Sequence, residues 1–487
     1  MLRSILVAPA ISSLLFLIVL QPKLLFAEKG SEESNTLERL GARKTGGARK
    51  TGSDWPRMLG SAYDSTSTEK GILQKWPAGG LQVIWSHPTG TGYGNGVTSQ
   101  GRWFQFDRYG DEERLTCHVA ETGEILWHQS KPVEYDDAYG YNNGPRCSPV
   151  VDGERVYTYG VAGQLTCYAV SDGKELWTRD LNQDYWVVPN FFGVGATPLI
   201  YEDFVWVMVG GSKPDNRTQA QLSVNDVPRA LPNNAGMVAI DKRTGESKLQ
   251  LGDYLASYAA PVIRTIHGKD VCIAFMREGL LTFDPATGKD EKFLPWRASS
   301  LESVNAGIPV VLEDQILVGE AYERGGILVA TQETGLTESW IDAPARRNQQ
   351  FRPHWTNPLV ADGLLFVSSG RNQPDTDLRC VRFTESDSLY NAETLWAVRN
   401  RDRMTGIAID DHLLMLGESG QLQLLRPSPS RLEVVAEMDL TQFADPKSGH
   451  PILHTPFWAP PVVSHGLLYV RAANRVVCLE LIPPTAD

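Results

Sequence analysis

The chain has 487 residues, 42% of them hydrophobic, which excludes a disordered polymer and implies a sizeable buried core. Its 44 Gly and 30 Pro, spread between short runs rich in Val, Leu, Tyr and Trp, predict many strands joined by turns rather than helices. A formal net charge of −12 disfavours a nucleic-acid partner.

Residues 1–27 read as a secretory signal: Arg3 supplies the positive start, Ile11 to Leu20 the apolar stretch, and Phe26-Ala27 a cleavage point before Glu28. Pro22 and Lys23 interrupt the apolar run, which makes a retained anchor the weaker alternative. A periplasmic or extracellular location is expected, with no transmembrane helix in the mature chain, because no second membrane-length apolar stretch follows. Residues 28–53 form a low-complexity linker in which GARKTG occurs twice in tandem from Gly41 through Gly52, and the Gly-rich setting of its four basic residues predicts a flexible tether. Residues 54–80 are expected to be an N-terminal extension packing on a single domain that spans 81–487.

That domain is a repeat array. The unit is clearest at Cys147 to Trp177, with strands at Val150-Val151, Arg155 to Tyr159, Leu165 to Val170 and a short last strand ending at Trp177, separated by turns at Asp152-Gly153, Gly163 and Asp172-Gly173. Its first turn recurs near Gly101, Gly153, Asp203, Gly268, Asp314, Gly363, Asp411 and Gly466. A period near fifty residues with four strands per unit predicts an all-β, eight-bladed β-propeller of four-stranded antiparallel blades, since each twisted sheet buries its faces only against neighbouring blades. The third turn and last strand carry a signature, ETGEILW at Glu121 to Trp127 and SDGKELW at Ser171 to Trp177, that weakens later in the chain; its Trp is read as a packing staple. The final unit, Pro461 to Leu481, has only three strands, and an orphan strand ending in Trp, Leu81 to Trp85, precedes the first complete unit. Pairing of the two ends is expected to close the ring and remove its exposed edges.

Two interruptions stand out. A polar insertion, Ser212 to Asn234, is expected to be a surface excursion of the third blade, and within it Asn216-Arg217-Thr218 fits a glycosylation sequon. Cys117, Cys167, Cys380 and Cys478 fall at matching places in separate repeats, so they read as small buried apolar side chains; a bridge involving Cys147 or Cys272 is the minority alternative.

The D-G turn, the T-G-K/E turn and the closing Trp resemble the PQQ-like repeats shared by quinoprotein dehydrogenases and by outer-membrane assembly factors of the BamB type, over about residues 81–481. Asp54-Trp55-Pro56-Arg57 through Trp76-Pro77, followed by the Trp85 strand, is similar to the start of exported planctomycete PQQ-binding-like repeat proteins. The resemblance implies the propeller fold and, from the dehydrogenase branch, PQQ with Ca²⁺ over the propeller axis. This sequence has neither the adjacent Cys pair of several such enzymes nor a C-x-x-C-H haem motif, and its first Cys, Cys117, comes too late for a lipidated cysteine after the signal. No motif transfers a catalytic Asp or a calcium ligand to a numbered position.

In propellers the loops entering the innermost strand of each blade gather around one mouth of the channel. Here they supply the candidate ligand-binding residues Asn95, Tyr141, Asn142, Arg146, Trp186, Phe192, Tyr258, Asn305, His354, Trp355 and His454, alongside Tyr93, Tyr139, Phe191, Asn357, Phe457 and Trp458. The aromatic faces suit a planar or sugar-like ligand and Arg146 a carboxylate or phosphate; equally, the aromatics can plug the channel and the Asn residues cap turns. Glu134, Asp136 and Asp137 suit a hard cation or a solvated acidic loop, with the solvated loop preferred, and Pro451 argues against His450 and His454 as zinc ligands. No catalytic or metal-binding residue is assigned, and no Walker loop, dinucleotide fingerprint or G-x-S-x-G elbow occurs in the required context. The expectation is a monomeric, non-catalytic binding or scaffold protein of the cell envelope, holding an envelope protein or a small ligand at the mouth. The competing expectation is a PQQ- and Ca²⁺-dependent alcohol dehydrogenase, and a third is a hydrolase or lyase acting on polysaccharide with paired carboxylates at the channel.

Overall fold

The computed structural model describes residue 49 and residues 51–386, 389–444 and 450–484, so the expected signal and most of the tether lie outside the described residues. Turn chemistry sets the architecture. At nearly every predicted first turn a residue with positive φ is present, as in Gln100 with Gly101, His267 with Gly268 and Asp362 with Gly363, the backbone handedness that tight hairpins between twisted strands require. Eight four-stranded antiparallel blades result.

Blade 1 comprises Val97–Ser99, Arg102–Tyr109, Glu112–Val119 and Ile125–Pro132, and blade 2 comprises Val150–Asp152, Arg155–Tyr159, Gln164–Ala169 and Glu175–Asp180. Blade 3 (Leu199–Tyr201 to Ser247–Leu251), blade 4 (Val262–Ile266 to Lys292–Pro295), blade 5 (Val310–Leu312 to Gly335–Ile341) and blade 6 (Leu359–Ala361 to Leu389–Arg399) repeat the meander. In blade 7, Met404–Ile409 to Glu433–Asp439, a fifth strand, Thr66–Ser67, adds in parallel beside the first. Blade 8 takes three strands from the C-terminus, Val462–Ser464, Leu467–Arg471 and Arg475–Glu480, and its outermost strand, Val83–Pro88, from the N-terminus. The closing strand begins two residues later than its hydrophobic pattern suggests, and the last strand of blade 2 runs through Trp177 to Asp180 instead of ending there.

The core is a set of shared faces. The main hydrophobic clusters join neighbouring blades: Phe104 and Leu115 of blade 1 with Val156 of blade 2, Val207 of blade 3 with Tyr157 of blade 2, and so on to a last cluster in which Ile407 of blade 7, Val470 of blade 8 and Trp103 of blade 1 meet. The signature Trp and Gly work as one device across this boundary. Trp85, Trp127 and Trp177 donate their indole N–H to Ala120, Val170 and Lys242 carbonyl oxygens at the third turn of the next blade, at 2.8, 3.1 and 3.3 Å. Their rings occupy the space where a Cβ on Gly123 or Gly173 would lie only 2.8 and 2.5 Å away, so glycine is required there for room as well as for its positive φ. Across the same strands Cys117, Cys167, Cys380 and Cys478 stand in register with Trp127, Trp177, Trp396 and Trp85. All six cysteines are free and buried, Cys147 and Cys272 included.

Residues 51–80 run across the face that carries the first turns. Trp55 pairs with Thr98 of blade 1, the Pro56 carbonyl accepts from Val151 of blade 2, and Tyr63 Oη donates to the Ile200 carbonyl of blade 3 at 3.0 Å. Arg264 of blade 4 donates to the Ala62 and Tyr63 carbonyls, Asn357, entering blade 6, donates to Ser65 Oγ, and Glu69 accepts the His465 and Gly466 N–H groups of blade 8. Leu59, buried with Ala259, Val262 and Ile308, inserts among the inner strands. The segment plugs one end of the channel.

Candidate functional site: the open mouth

Strand order puts the first turns at one end of the channel, so the loops entering each first strand, and those joining second to third strands, lie at the other. At this unplugged end an aromatic series runs from loop to loop. Trp355, entering blade 6, stands 5.9 Å from Trp458, entering blade 8; Trp458 is 4.7 Å from Tyr93 and 6.5 Å from Tyr141; Tyr141 is 6.1 Å from Phe192, and Phe192 5.6 Å from Tyr258. Tyr139 and Tyr141 are 51% and 64% exposed, the aromatic rings most open to solvent among the described residues.

Guanidinium groups stack on this series: Arg146 over Tyr93 and Tyr135, Arg403 over Trp355 and Trp458, and Arg371 over Tyr322 at 4.2 Å. Two are neutralised in place. Arg146 pairs with Asp137 at 2.5 Å, and Arg403 pairs with Glu418 at 2.5 Å, whose carboxylate also takes the Trp458 indole N–H at 2.8 Å. Arg371 is different. Its guanidinium makes no hydrogen bond to any described residue, and its Nε is buried without an acceptor.

Arg371 ends a chain of contacts whose proton positions can be assigned. Arg403 Nη1 lies 3.2 Å from His354 Nδ1 and Tyr322 Oη lies 3.2 Å from His354 Nε2. Burial, with Arg403 and Arg371 nearby, pushes the imidazole down to about 3, so it is neutral. Arginine only donates, hence Nδ1 accepts and the ring proton sits on Nε2, directed at Tyr322 Oη. Tyr322 is left with its own O–H to donate, beside the unused donors of Arg371. Burial raises the Tyr322 hydroxyl above its ordinary value, which keeps that proton in place.

The residues singled out from sequence separate into groups. Tyr141, Phe192, Tyr258, His354 and Trp355 converge on the mouth, with Tyr258 Oη fixing the Phe192 N–H at 2.7 Å. Arg146 lies beside them with its charge spent on Asp137, which is buried and accepts the Tyr139 and Tyr141 N–H groups; the acidic loop is thus not simply solvated. Asn142 accepts the Gly144 N–H at 2.8 Å, a loop-internal contact. Asn95 and Asn305 turn away into the scaffold: Asn95 holds Ser148 Oγ and the Met58 carbonyl, and Asn305, fully buried, donates to the Met276 and Trp296 carbonyls. Trp186 packs under the insertion against Val188 and Leu222, and His454 is an exposed neighbour of Asn474. Arg371, Arg403, Tyr322 and Glu418 were not anticipated; Arg403 lies in the loop entering blade 7, and the other three lie in loops joining second to third strands, which return to the same face and were the available signal.

Three carboxylates at this face, Asp137, Glu418 and Glu320, are already engaged within the protein and are not free to ligate Ca²⁺. Ca²⁺ takes six to eight oxygen ligands, whereas Asp137 and Glu418 are bound to arginines and Glu320 accepts the Tyr322, Glu323 and Arg324 N–H groups. Among the described residues no group of three or more His, Cys, Asp or Glu is placed to hold a metal. No helix among them is long and apolar enough to cross a membrane.

The fold has relatives among solved structures. BamB from Moraxella catarrhalis aligns with a TM-score of 0.50 at 13% identity, over 84% of this chain and 99% of that one. A quinohemoprotein alcohol dehydrogenase from Comamonas testosteroni aligns with a TM-score of 0.48 at 13% identity, over 93% of this chain and 84% of that one. No curated protein sequence matches. The family model described as outer membrane protein assembly factor BamB matches residues 77–184 and 111–381, more than half of the chain. With eight PQQ-like blades closed by its two ends, the chain belongs to that BamB family of β-propellers.

Proposed function

We propose that this protein is a non-catalytic binding propeller of the cell envelope that takes a carboxylate- or phosphate-bearing segment of a partner, or a small ligand of that kind, at the open mouth. The observation that carries this reading is Arg371, a partly buried guanidinium with no acceptor, next to a tyrosine hydroxyl with a proton to give. Desolvating such donors costs free energy unless an acceptor arrives, and a charge-assisted pair with an anion offsets the cost. The surrounding aromatic faces supply apolar contact for whatever carries the anion. The plug at the other end leaves this mouth as the entrance to the channel. The family's description as an outer membrane protein assembly factor suits a role in holding another envelope protein.

The test is a photo-crosslinking residue at Tyr141 in the full chain, with and without Arg371→Ala, combined with thermal melts in the presence of PQQ and Ca²⁺. A specific adduct that disappears with Arg371→Ala, and melts that PQQ and Ca²⁺ leave unchanged, are expected. A rise of several degrees with PQQ and Ca²⁺, accompanied by dye-linked alcohol oxidation, would overturn the reading.

A further inference from the structure

A second space lies off the axis, over blades 2 and 3, and is separated from the mouth by the loop 187–196 that carries Phe191 and Phe192. It is a cavity of about 420 Å³, reaching from Glu113 of blade 1 past Val161 and Met208 to Arg277 of blade 4. A volume of that order is within the range of small-molecule sites. Its cover is the insertion. This surface excursion, Ser212–Asn234, is pinned at its base by a bridge between Ser212 and Pro232, braced by Arg217 with Asp215 and Asp226, and docked through Leu222 and Val227 against Val188. Gln219 and Val227 from this insertion line the cavity.

The polar groups on its wall are mismatched within the protein. Glu113, 6% exposed, accepts the Val161 N–H through Oε1 at 2.8 Å, while Oε2 receives no hydrogen bond from any described residue. A Cβ on Gly160 would come within 2.1 Å of that oxygen, so the chain keeps glycine where the carboxylate must lie. Asn182 Oδ1 and, on the covering insertion, Gln219 Oε1 are buried without a donor. These three oxygens ask for hydrogen-bond donors. Arg277 poses the opposite demand: it is 3% exposed, donates to the Leu301 carbonyl at 2.7 Å and, at 3.5 Å, to Asn190 Oδ1, and has no carboxylate among the described residues within ion-pair distance. Burial pushes Glu113 up to about 7 against the pull of Arg108 and Arg146, and burial with Arg297 nearby pushes Arg277 down to about 10 against the pull of Glu278.

Arg108 and Arg146 act on Glu113, and Glu278 on Arg277, only from beyond ion-pair distance, so neither buried charge has a direct ionic contact, and an occupant with both signs of charge supplies both contacts at once. We propose that this cavity binds a small zwitterion, a free amino acid or short peptide, whose ammonium group is held by Glu113, Asn182 and Gln219 and whose carboxylate is held by Arg277. Glu113 and Arg277 come from blades 1 and 4, with blades 2 and 3 between them, so an extended peptide spans the two better than a single amino acid does.

Calorimetric titration of the mature chain with di-, tri- and tetra-alanine tests this, alongside the N-acetylated and C-amidated forms of each. At least one free peptide is expected to bind with a Kd below about 1 mM, and either cap is expected to weaken it tenfold or more, the loss of one charge-assisted pair. In Glu113→Gln acetylation is expected to cost nothing further, and in Arg277→Met amidation is expected to cost nothing further. Should Arg277→Met fail to fold, the isosteric Glu113→Gln and the capped peptides on the unaltered protein carry the same test. Arg371→Ala, at the mouth, is expected to leave peptide binding unchanged, so failure of this inference and failure of the mouth reading are distinguishable. Absence of binding at millimolar peptide, or equal binding of free and capped forms, overturns the proposal.

Discussion

Trp85, near the N-terminal end of the domain, faces Cys478, near its C-terminal end, across the strand pair that closes the propeller. The indole is 3% exposed, stands 5.8 Å from Tyr469 of blade 8, and donates to Ala120 of blade 1, so one side chain joins both ends of the chain to the first blade. Replacing a buried Trp by Ala costs about 3–5 kcal/mol in lost transfer energy and cavity formation. Trp85→Ala is accordingly expected to lower the denaturant midpoint strongly, and deletion of residues 78–88 to leave an aggregating protein, because the Arg475–Glu480 strand would become an open edge. Chemical denaturation and light scattering check both; an unchanged midpoint in the deletion would refute closure by strand exchange.

The plug is tied down by charge. Asp54 Oδ1 lies 3.1 Å from His465 Nε2, and Asp54 Oδ2 accepts Ser99 Oγ and the Gln100 N–H at 3.0 Å each. Burial alone would raise the Asp54 carboxyl, but the hydrogen bonds from His465, Gln100 and Ser99 outweigh it and hold the group below its ordinary value, while the bond to Asp54 raises His465. The lowered Asp54 contributes stability above the ordinary carboxylate range, lost as pH falls through its folded value. The raised His465 contributes stability that is complete below the ordinary imidazole value and lost as pH rises through its folded value. The pair thus stabilises most between about pH 4 and 6.5. Melts at pH 6 and pH 8.5 are expected to show a decline that His465→Asn reduces, by on the order of 0.5 kcal/mol, since the imidazole is 29% exposed and partly screened. An identical decline in the variant would assign the pH dependence to other groups.

Leu59 offers a test of the plug as a structural part. It is 2% exposed among Ala259, Val262 and Ile308, inner-strand residues of blades 4 and 5 or the segments entering them. Leu59→Ala is expected to cost about 2–4 kcal/mol, as for other buried leucines. Leu59→Asp should cost more, because a carboxylate there has no donor to meet it. Limited proteolysis reads the outcome directly, since cleavage within residues 51–80 is expected in Leu59→Asp well before any blade is cut.

Blade number and closure were legible from sequence for a physical reason. A tight hairpin demands particular residues, and Gln100-Gly101 or His465-Gly466 announce it locally, whereas the missing fourth strand after Leu481 and the spare one at Trp85 are a deficit and a surplus visible along the chain. The site was less legible. Whether a residue in an entering loop faces the mouth or the channel wall depends on one step of chain direction: Tyr93 packs against Trp458, yet Asn95, two residues on, is turned into the wall against Ser148. Arg371 and Arg277 could be found only by recognising that second-to-third-strand loops share the mouth's face, and the lack of a carboxylate within ion-pair distance of either is a property of three-dimensional surroundings that spacing does not encode. The docking of the insertion was hidden by its polar composition, because a few apolar residues, Leu222 and Val227 with Val224 and Ala230 beside them, are enough to seat it.

The Cys and Trp that face each other in four blades yield a last expectation. Each of these thiols lies under an indole on the neighbouring strand, which leaves it no path to solvent while the blade is intact, and burial raises Cys117 and Cys380 to about 11 and Cys167 to about 12, with Cys478 raised as well. Cys147 and Cys272 are buried between blades and raised in the same way. A thiolate is the reactive form, so low access and a raised pKa act together. The native protein is expected to show no thiols to an aromatic disulfide reagent at pH 8, and the guanidinium-unfolded protein to show six. Because reaction then requires the strands to part, the rate of thiol exposure in dilute denaturant measures blade opening: a single rate for all six would mean that the ring opens as one unit, and a faster pair limited to Cys117 and Cys478 would place the weakest joint at the closing blade.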